Sequence, residues 1–400
     1  MTSIQHLLAA LRADANPAQW FAALQSAPVD QDDLAVMALA LGLAPLLHYR
    51  LEGWGAALPD PKAHAKLTFA RKVEEARQVA LRAQLAEVLA RLPVPPIVLK
   101  GAYLAEKVYP APGLRPMNDI DLLFRPQDLP AAVQVLRELG YGSKEKSPDL
   151  GPGITKHTTT FKRPVGAGLV PAPDLASAPN RDNTPNPYLS SNGSRMIEPH
   201  RSLEESWFGL KCDLTPGMWE RSVEIEIAGA HARALSHEDM LLHQCVHLAF
   251  HLIMGAPSFV QLADLLVFVE RVPLDWAAFV ARAKELHASG YAYAALRLAA
   301  RELAMPIPAD VMDVLAADSP RAVRLTAETL SLADVIRRTQ KPPLRTIPQR
   351  LRRGLADRAE TARWAHSPAE WLRVWGTLVD VRRTDTWRLI NPQTSKSLKH

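Results

Sequence analysis

Apolar positions recur along this chain with two different periods. Residues 3–12 and 17–26 place them at helical spacing, and Asp32 opens a longer helical pattern that runs to about Leu51. Residues 61–92 give the clearest helix, with Ala65, Leu67, Ala70, Ala76, Leu81, Leu85 and Leu89 separated by charges. Pro93, Pro95 and Pro96 then stop it. The middle of the chain shortens its period. Ile97–Leu99 and Ile120–Phe124 read as strands with a helix over Ala102–Val108 between them. Pro126–Leu139 is an amphipathic helix ended by Gly140, Tyr141 opens a further strand, and His157–Lys162 (HTTTFK) has β-branched alternation. From Ser236 the helical period returns, with Glu238 and Asp239 in the first turn after a serine cap. Amphipathic helices follow over 275–289, 291–304, 308–317 and 319–337, and Pro342, Pro343 and Pro348 mark a linker into the last segment.

The stretch Ile97–Phe124, IVLKGAYLAEKVYPAPGLRPMNDIDLLF, carries the chemistry. Strand side chains alternate faces, so Asp119 and Asp121 point the same way, with Cα atoms about 6.5–7 Å apart. Two carboxylates at that spacing suit one or two Mg²⁺ ions, which take oxygen ligands and share them with substrate phosphates. Gly101 sits where a strand turns into a helix N-terminus, a place where bare backbone N–H groups attract anions.

The order LKG, short helix, Tyr-Pro, GLRPM and DIDLLF resembles the DNA-polymerase-β-like nucleotidyltransferase superfamily. It is most similar to an uncharacterised bacterial nucleotidyltransferase family whose core reads LKG…YP…G-LRPM-x-DIDLLV. The resemblance is dense over residues 97–141 and looser from Met196 to about Glu270. It implies an α+β fold, a small mixed β-sheet core flanked by N- and C-terminal helical lobes. The division expected is 1–92 helical lobe, 93–232 core, 233–340 helical domain and 341–400 basic helical tail. It also implies Mg²⁺-dependent transfer of a nucleoside monophosphate from an NTP to an acceptor hydroxyl, with pyrophosphate released. Asp119 and Asp121 would be the catalytic, metal-holding acids. The superfamily's usual Gly-Ser is replaced here by Lys100-Gly101, which makes Lys100 the expected phosphate partner, helped by the Gly101 backbone and Arg115.

The resemblance also calls for a third carboxylate on a neighbouring strand. Glu198 in Met196-Ile197-Glu198-Pro199-His200 matches it, with His200 on the same face by alternation. Pro199 is a departure, tolerable on an edge strand and a cost in a central one. Glu224 and Glu226 in SVEIEI alternate equally well and are the competitors for that role. His243, His247 and His251 form an i, i+4 stripe. With His247 at the position that recurs in the family, the stripe is expected to line the cleft and contact nucleotide. Zinc ligation completed by Asp264, or simple burial, are the alternatives.

Composition narrows the classes. No run of about 18 apolar residues exists, which argues against a membrane span. The N-terminus lacks the pattern of a secretory signal, and two cysteines, Cys212 and Cys245, without metal spacing read as buried thiols of a cytoplasmic protein. Net charge is +5, yet residues 341–400 hold 13 Lys/Arg against 5 Asp/Glu, with Trp364, Trp371, Trp375 and Trp387 interleaved. Such a tail reads as a solvated helical face, or as a surface for nucleic acid. Residues 164–195, rich in Pro, Ala, Asn and Ser, read as an inserted loop. The acceptor stays open among small molecule, protein and RNA. A catalytically silent nucleotide-binding scaffold and an RNA-directed enzyme of toxin type are the rival readings.

Overall fold

The computed structural model describes residues 2–26, 29–143, 160–164, 194–339 and 346–378. The fold is α+β. Its sheet comprises β1 (Ile97–Val98), β2 (Asp119–Leu123), β3 (Gly142–Ser143), β4 (Phe161–Pro164), β5 (Ser194–His200), β8 (Val223–Ile227) and β9 (Ala230–Ala234), with β6 (Glu204–Trp207) and β7 (Leu210–Asp213) forming a separate hairpin. The order across the sheet is β3-β4-β5-β2-β1-β9-β8. β2 runs antiparallel to β1 and parallel to β5, and β1 runs parallel to β9. Ile97, Val98, Ile120, Leu122 and Leu123 are fully buried, so the two strands that carry the central motif lie in the core.

Pro199 stands in an interior strand, contrary to the edge position that suits proline. The ladder from β4 to β5 runs from Ser194 to Ile197 among the described residues, whereas the ladder from β2 continues past Pro199 to His200. Proline's missing N–H therefore falls beyond the described β4 ladder.

Helices stand on either side of the sheet in sequence. The expected helix from Asp32 to Leu51 is two helices, Gln31–Ala40 and Ala44–Gly53. Gly42 at φ 71 turns the chain between them, and Pro45 starts the second. The 319–337 pattern likewise divides into Arg321–Thr329 and Leu332–Thr339. Leu330 is extended, and Ser331 and Asp334 cap each other's backbone N–H. Pro61–Leu89 is one long helix whose Gln84 side chain donates to the Met196 carbonyl on β5 (3.3 Å).

The helix His237–Met254 is the pillar of the following region. Met240, Leu241, Val246 and Phe250 on it are fully buried, each contributing about 1.5–3 kcal/mol through removal from water. Ser236 caps it by accepting from the Asp239 N–H (3.2 Å), as its sequence requires. The first helix, Ser3–Leu11, packs on Ser289–Leu303, and Ala13 N–H donates to Leu303 O (2.8 Å), so helices from before and after the sheet meet.

The described part of the basic tail is docked. Helices Ile347–Ala362 and Pro368–Gly376 pack on each other, on His237–Met254 and on β7. Trp364 is fully buried and stacks over Tyr291 (centroids 6.4 Å apart), while Trp371, 47% exposed, touches Trp375 (5.9 Å). Trp387, most of the 164–195 stretch and the start of the HTTTFK strand lie outside the described residues. No helix among the described residues is long and apolar enough to cross a membrane. Cys212 and Cys245 are buried free thiols, and burial pushes both thiol pKa values up.

Candidate functional site

Strand register assembles the site. Parallel pairing sets Asp119 opposite Met196, Asp121 opposite Glu198 and Leu123 opposite His200. Alternation puts Asp119, Asp121, Glu198 and His200 on one face of the sheet. His200, 1% exposed, donates from Nε2 to Asp121 Oδ1 at 2.6 Å. Lys100 Nζ lies 3.3 Å from Asp121 Oδ2, and the Thr160 hydroxyl donates to Glu198 Oε1 at 2.7 Å. Ligand atoms of Asp121, Glu198 and His200 all fall within 4.8 Å of one another, and no other such group of acids, histidines or cysteines occurs among the described residues. Asp119 lies outside that group, one pleat along the strand from Asp121.

The electrostatics show acids crowded together. Burial first, then the negative charges of Asp121 and Glu198, push the Asp119 carboxyl up to about 7, against the pull of Lys100 and Arg115. Burial acts to lower the Lys100 pKa, but Asp121, Glu205, Asp119 and Glu198 together outweigh it and hold the ammonium above its ordinary value. Lys100 is thus the counter-ion of the cluster. It also occupies the left-handed region at φ 43, a conformation that costs a non-glycine residue about 1–2 kcal/mol and tends to be stored at functional sites.

Gly101 opens the helix Lys100–Lys107 and is buried. A Cβ there would collide with Nη1 of Arg115 and stand 3.4 Å from Met117 Cβ. The glycine thus makes room for a guanidinium pressed against the helix start. Arg115 in turn forks onto Asp264 on the helix Phe259–Arg271, with Nε to Oδ1 at 2.9 Å and Nη2 to Oδ2 at 2.8 Å. Tyr109 OH donates to the same carboxylate at 2.8 Å, and burial leads the causes that raise its pKa well above the ordinary phenol value. The Arg115 charge is therefore matched inside the protein, whereas the sequence had suggested a triphosphate contact.

His247 donates from Nδ1 to the buried Glu205 Oε1 at 2.8 Å. The histidine stripe exists, with ring centroids 5.9 Å apart for His243 and His247 and 4.4 Å for His247 and His251. Its zinc alternative finds no support: Asp264 is engaged by Arg115 and Tyr109, and the stripe forms no metal group among the described residues. Glu224 and Glu226 are exposed on the edge strand β8, separated from β2 by β1 and β9, so the sheet brings Glu198 to Asp121 and leaves them outside.

Sequence reasoning missed Glu205. The β6–β7 hairpin that carries it was legible in principle, because Phe208 (φ 42) and Gly209 (φ 85) form a two-residue turn between alternating runs. Thr160 was missed as well, and no signal in the sequence pairs it with Glu198.

Two carboxylates and an imidazole converging from adjacent strands have the donor chemistry of a divalent-ion site. Burial, and after it the charges of Asp121 and Glu198, raise the Asp119 carboxyl beside them, and a cation would relieve the crowding of those charges. The residues present therefore fit such an ion. Neither a curated protein nor a solved structure matches the chain. The profile of a family described as "Uncharacterised nucleotidyltransferase" matches residues 27–304, more than half of the chain. That span takes in every strand of the sheet and the helices that hold His247 and Asp264, and the chain belongs to this nucleotidyltransferase family.

Proposed function

We propose that the protein transfers a nucleoside monophosphate from an NTP such as ATP to an acceptor hydroxyl. The acceptor oxygen bonds to the α-phosphorus, the bond from that phosphorus to the β-phosphate oxygen breaks, and pyrophosphate leaves. Asp119, Asp121 and Glu198 would hold one or two Mg²⁺ ions, which when bound supply positive charge to the triphosphate and to the transition state. Glu198 has a second capacity, as base for the acceptor proton. Lys100 and the Gly101 backbone neutralise and seat the phosphates. Arg115, held by Asp264, keeps the start of that helix in place. His200 stands against Asp121 at the metal site, and His247 with Glu205 lines the nucleotide side of the cleft.

One observation carries this reading: the register that sets Asp121 beside Glu198, with Lys100 Nζ 3.3 Å from Asp121. Family membership supports the reaction class, and the free buried thiols agree with a reducing, cytoplasmic compartment. The acceptor is left open among small molecule, protein and RNA.

The test is a titration of the purified protein with each NTP, with and without Mg²⁺, beside the variant Asp119→Ala/Asp121→Ala. Metal-dependent binding by the wild type alone is the expected result. Equal binding by both proteins places the nucleotide elsewhere, and binding by neither replaces the enzyme with a silent scaffold.

A further inference from the structure

Mg²⁺ is an oxygen-seeking ion that dehydrates reluctantly and is held by carboxylates, phosphates and water rather than by imidazole nitrogen. The group found here contains one. His200 is 1% exposed, and its position opposite Leu123 in the β2–β5 ladder fixes its side chain on the face that holds Asp121 and Glu198. Its Nε2 lies 2.6 Å from Asp121 Oδ1, and one ligand atom from each of the three residues falls within a sphere of contacts no wider than 4.8 Å. Adjacent ligands of an ion with bonds of about 2.1 Å stand about 3 Å apart, near the separation of Nε2 from Oδ1, and Glu198 lies within reach of the same point. Lys100 approaches Asp121 from its other oxygen, Oδ2, which leaves the Oδ1 side as the approach to Glu198 and His200.

We infer that His200 is a direct ligand of the metal through Nε2, releasing on binding the proton that Nε2 shares with Asp121 and keeping its hydrogen on Nδ1, and that the Asp121–Glu198–His200 group selects Mn²⁺ over Mg²⁺. The inference rests on the proposed metal-dependent reaction and refines the identity of its ion. Imidazole nitrogen favours first-row transition ions, while the two carboxylates keep the set hard enough for an ion that also meets phosphate oxygens. Mn²⁺ is the first-row ion that shares the oxygen preference of Mg²⁺, so a single nitrogen ligand added to two carboxylates tips the choice between those two toward Mn²⁺. The competing role for His200 is purely that of a hydrogen-bond donor orienting Asp121, as outer partners of metal sites commonly do. The two roles differ in whether nitrogen touches the metal.

That difference is measurable on the full chain without turnover. Protein stripped with a chelator is titrated with Mn²⁺ alone and with Mg²⁺ as competitor, and the bound Mn²⁺ is examined by pulsed electron paramagnetic resonance for nitrogen coupling. The wild type should bind Mn²⁺ at least tenfold more tightly than Mg²⁺ and show coupling to one imidazole nitrogen. His200→Gln should lose the coupling and most of the preference. Glu198→Gln should bind more weakly yet retain the coupling, which separates loss of a ligand from loss of the fold. Mn²⁺ bound without nitrogen coupling, or equal affinity for the two ions, overturns the inference while leaving metal-dependent nucleotide transfer intact. Failure of both ions to bind, with or without nucleotide, overturns both.

Discussion

Arg115 grips Asp264 through two parallel hydrogen bonds, 2.9 Å from Nε to Oδ1 and 2.8 Å from Nη2 to Oδ2, and so ties the loop before β2 to the helix Phe259–Arg271. Both side chains are nearly sealed, at 11% and 4% exposed. Such a pair holds geometry more than it supplies stability, because desolvation opposes the attraction, yet breaking it strands a buried charge. Asp264→Ala should lower unfolding free energy by about 3–5 kcal/mol in urea titrations. Metal-dependent nucleotide binding should weaken with it, because the guanidinium supports the start of the helix at Lys100. A variant with unchanged stability would mean that the pair is relaxed in solution.

Gly101 offers a finer probe of the same contact. An added methyl would meet the Arg115 guanidinium, so Gly101→Ala should cost about 1–3 kcal/mol by overpacking. Shortening the arginine frees that space. The cost of Gly101→Ala should therefore shrink in an Arg115→Ala background, and a double-mutant cycle measures the difference. Additive effects would show that the close approach is not what demands glycine.

The docked tail is expected to matter for the site. Gly209 at the hairpin tip has φ 85, and a Cβ there would sit 3.0 Å from the Arg373 carbonyl carbon, which is backbone and cannot swing away. Arg358 stacks over neighbouring Phe208 with its guanidinium carbon 4.3 Å from the ring centre. Gly209→Ala should lose about 1–2 kcal/mol from backbone strain alone. It should also disturb the Glu205–His247 hydrogen bond carried by the same hairpin, seen as a changed His247 imidazole resonance. An unchanged resonance would mean that the tail is merely attached.

Glu74 gives a dependence on pH. It is 2% exposed, and burial pushes its carboxyl up to about 7 from an ordinary value of 4.5, against the pull of Arg77 at 2.7 Å. A carboxyl with a raised folded-state pKa binds its proton more tightly when folded. Its contribution to stability is fully present below pH 4.5 and is lost as pH rises through about 7. Glu74→Gln should remove that fall and gain about 1–3 kcal/mol on the wild type above pH 7. Unfolding free energies across pH 4.5 to 8 decide it, and parallel curves for the two proteins would count against a buried proton.

The sequence alone determined what depends on near neighbours. The two-residue period around Asp119 and Asp121 put both acids on one strand face, and Ser236 with its following acids marked the start of His237–Met254. The prolines from Pro93 and the glycine Gly140 likewise marked where Pro61–Leu89 and Leu129–Glu138 end. Even there, Gly42 and Ser331 divided helices that periodicity alone had run together, because a turn and a cap act within a few residues against a longer pattern.

Only the tertiary structure decided which acid joins Asp121. Glu198, Glu224 and Glu226 have equivalent alternation, and the choice is made by β5 lying parallel beside β2 while β8 takes the far edge. The same holds for Arg115, turned inward onto Asp264, and for Glu205, delivered by a hairpin to His247. A side chain's face is a local property of the strand that bears it. Its partner across the sheet or on another helix is set by how distant segments bury one another, and no single segment contains that information.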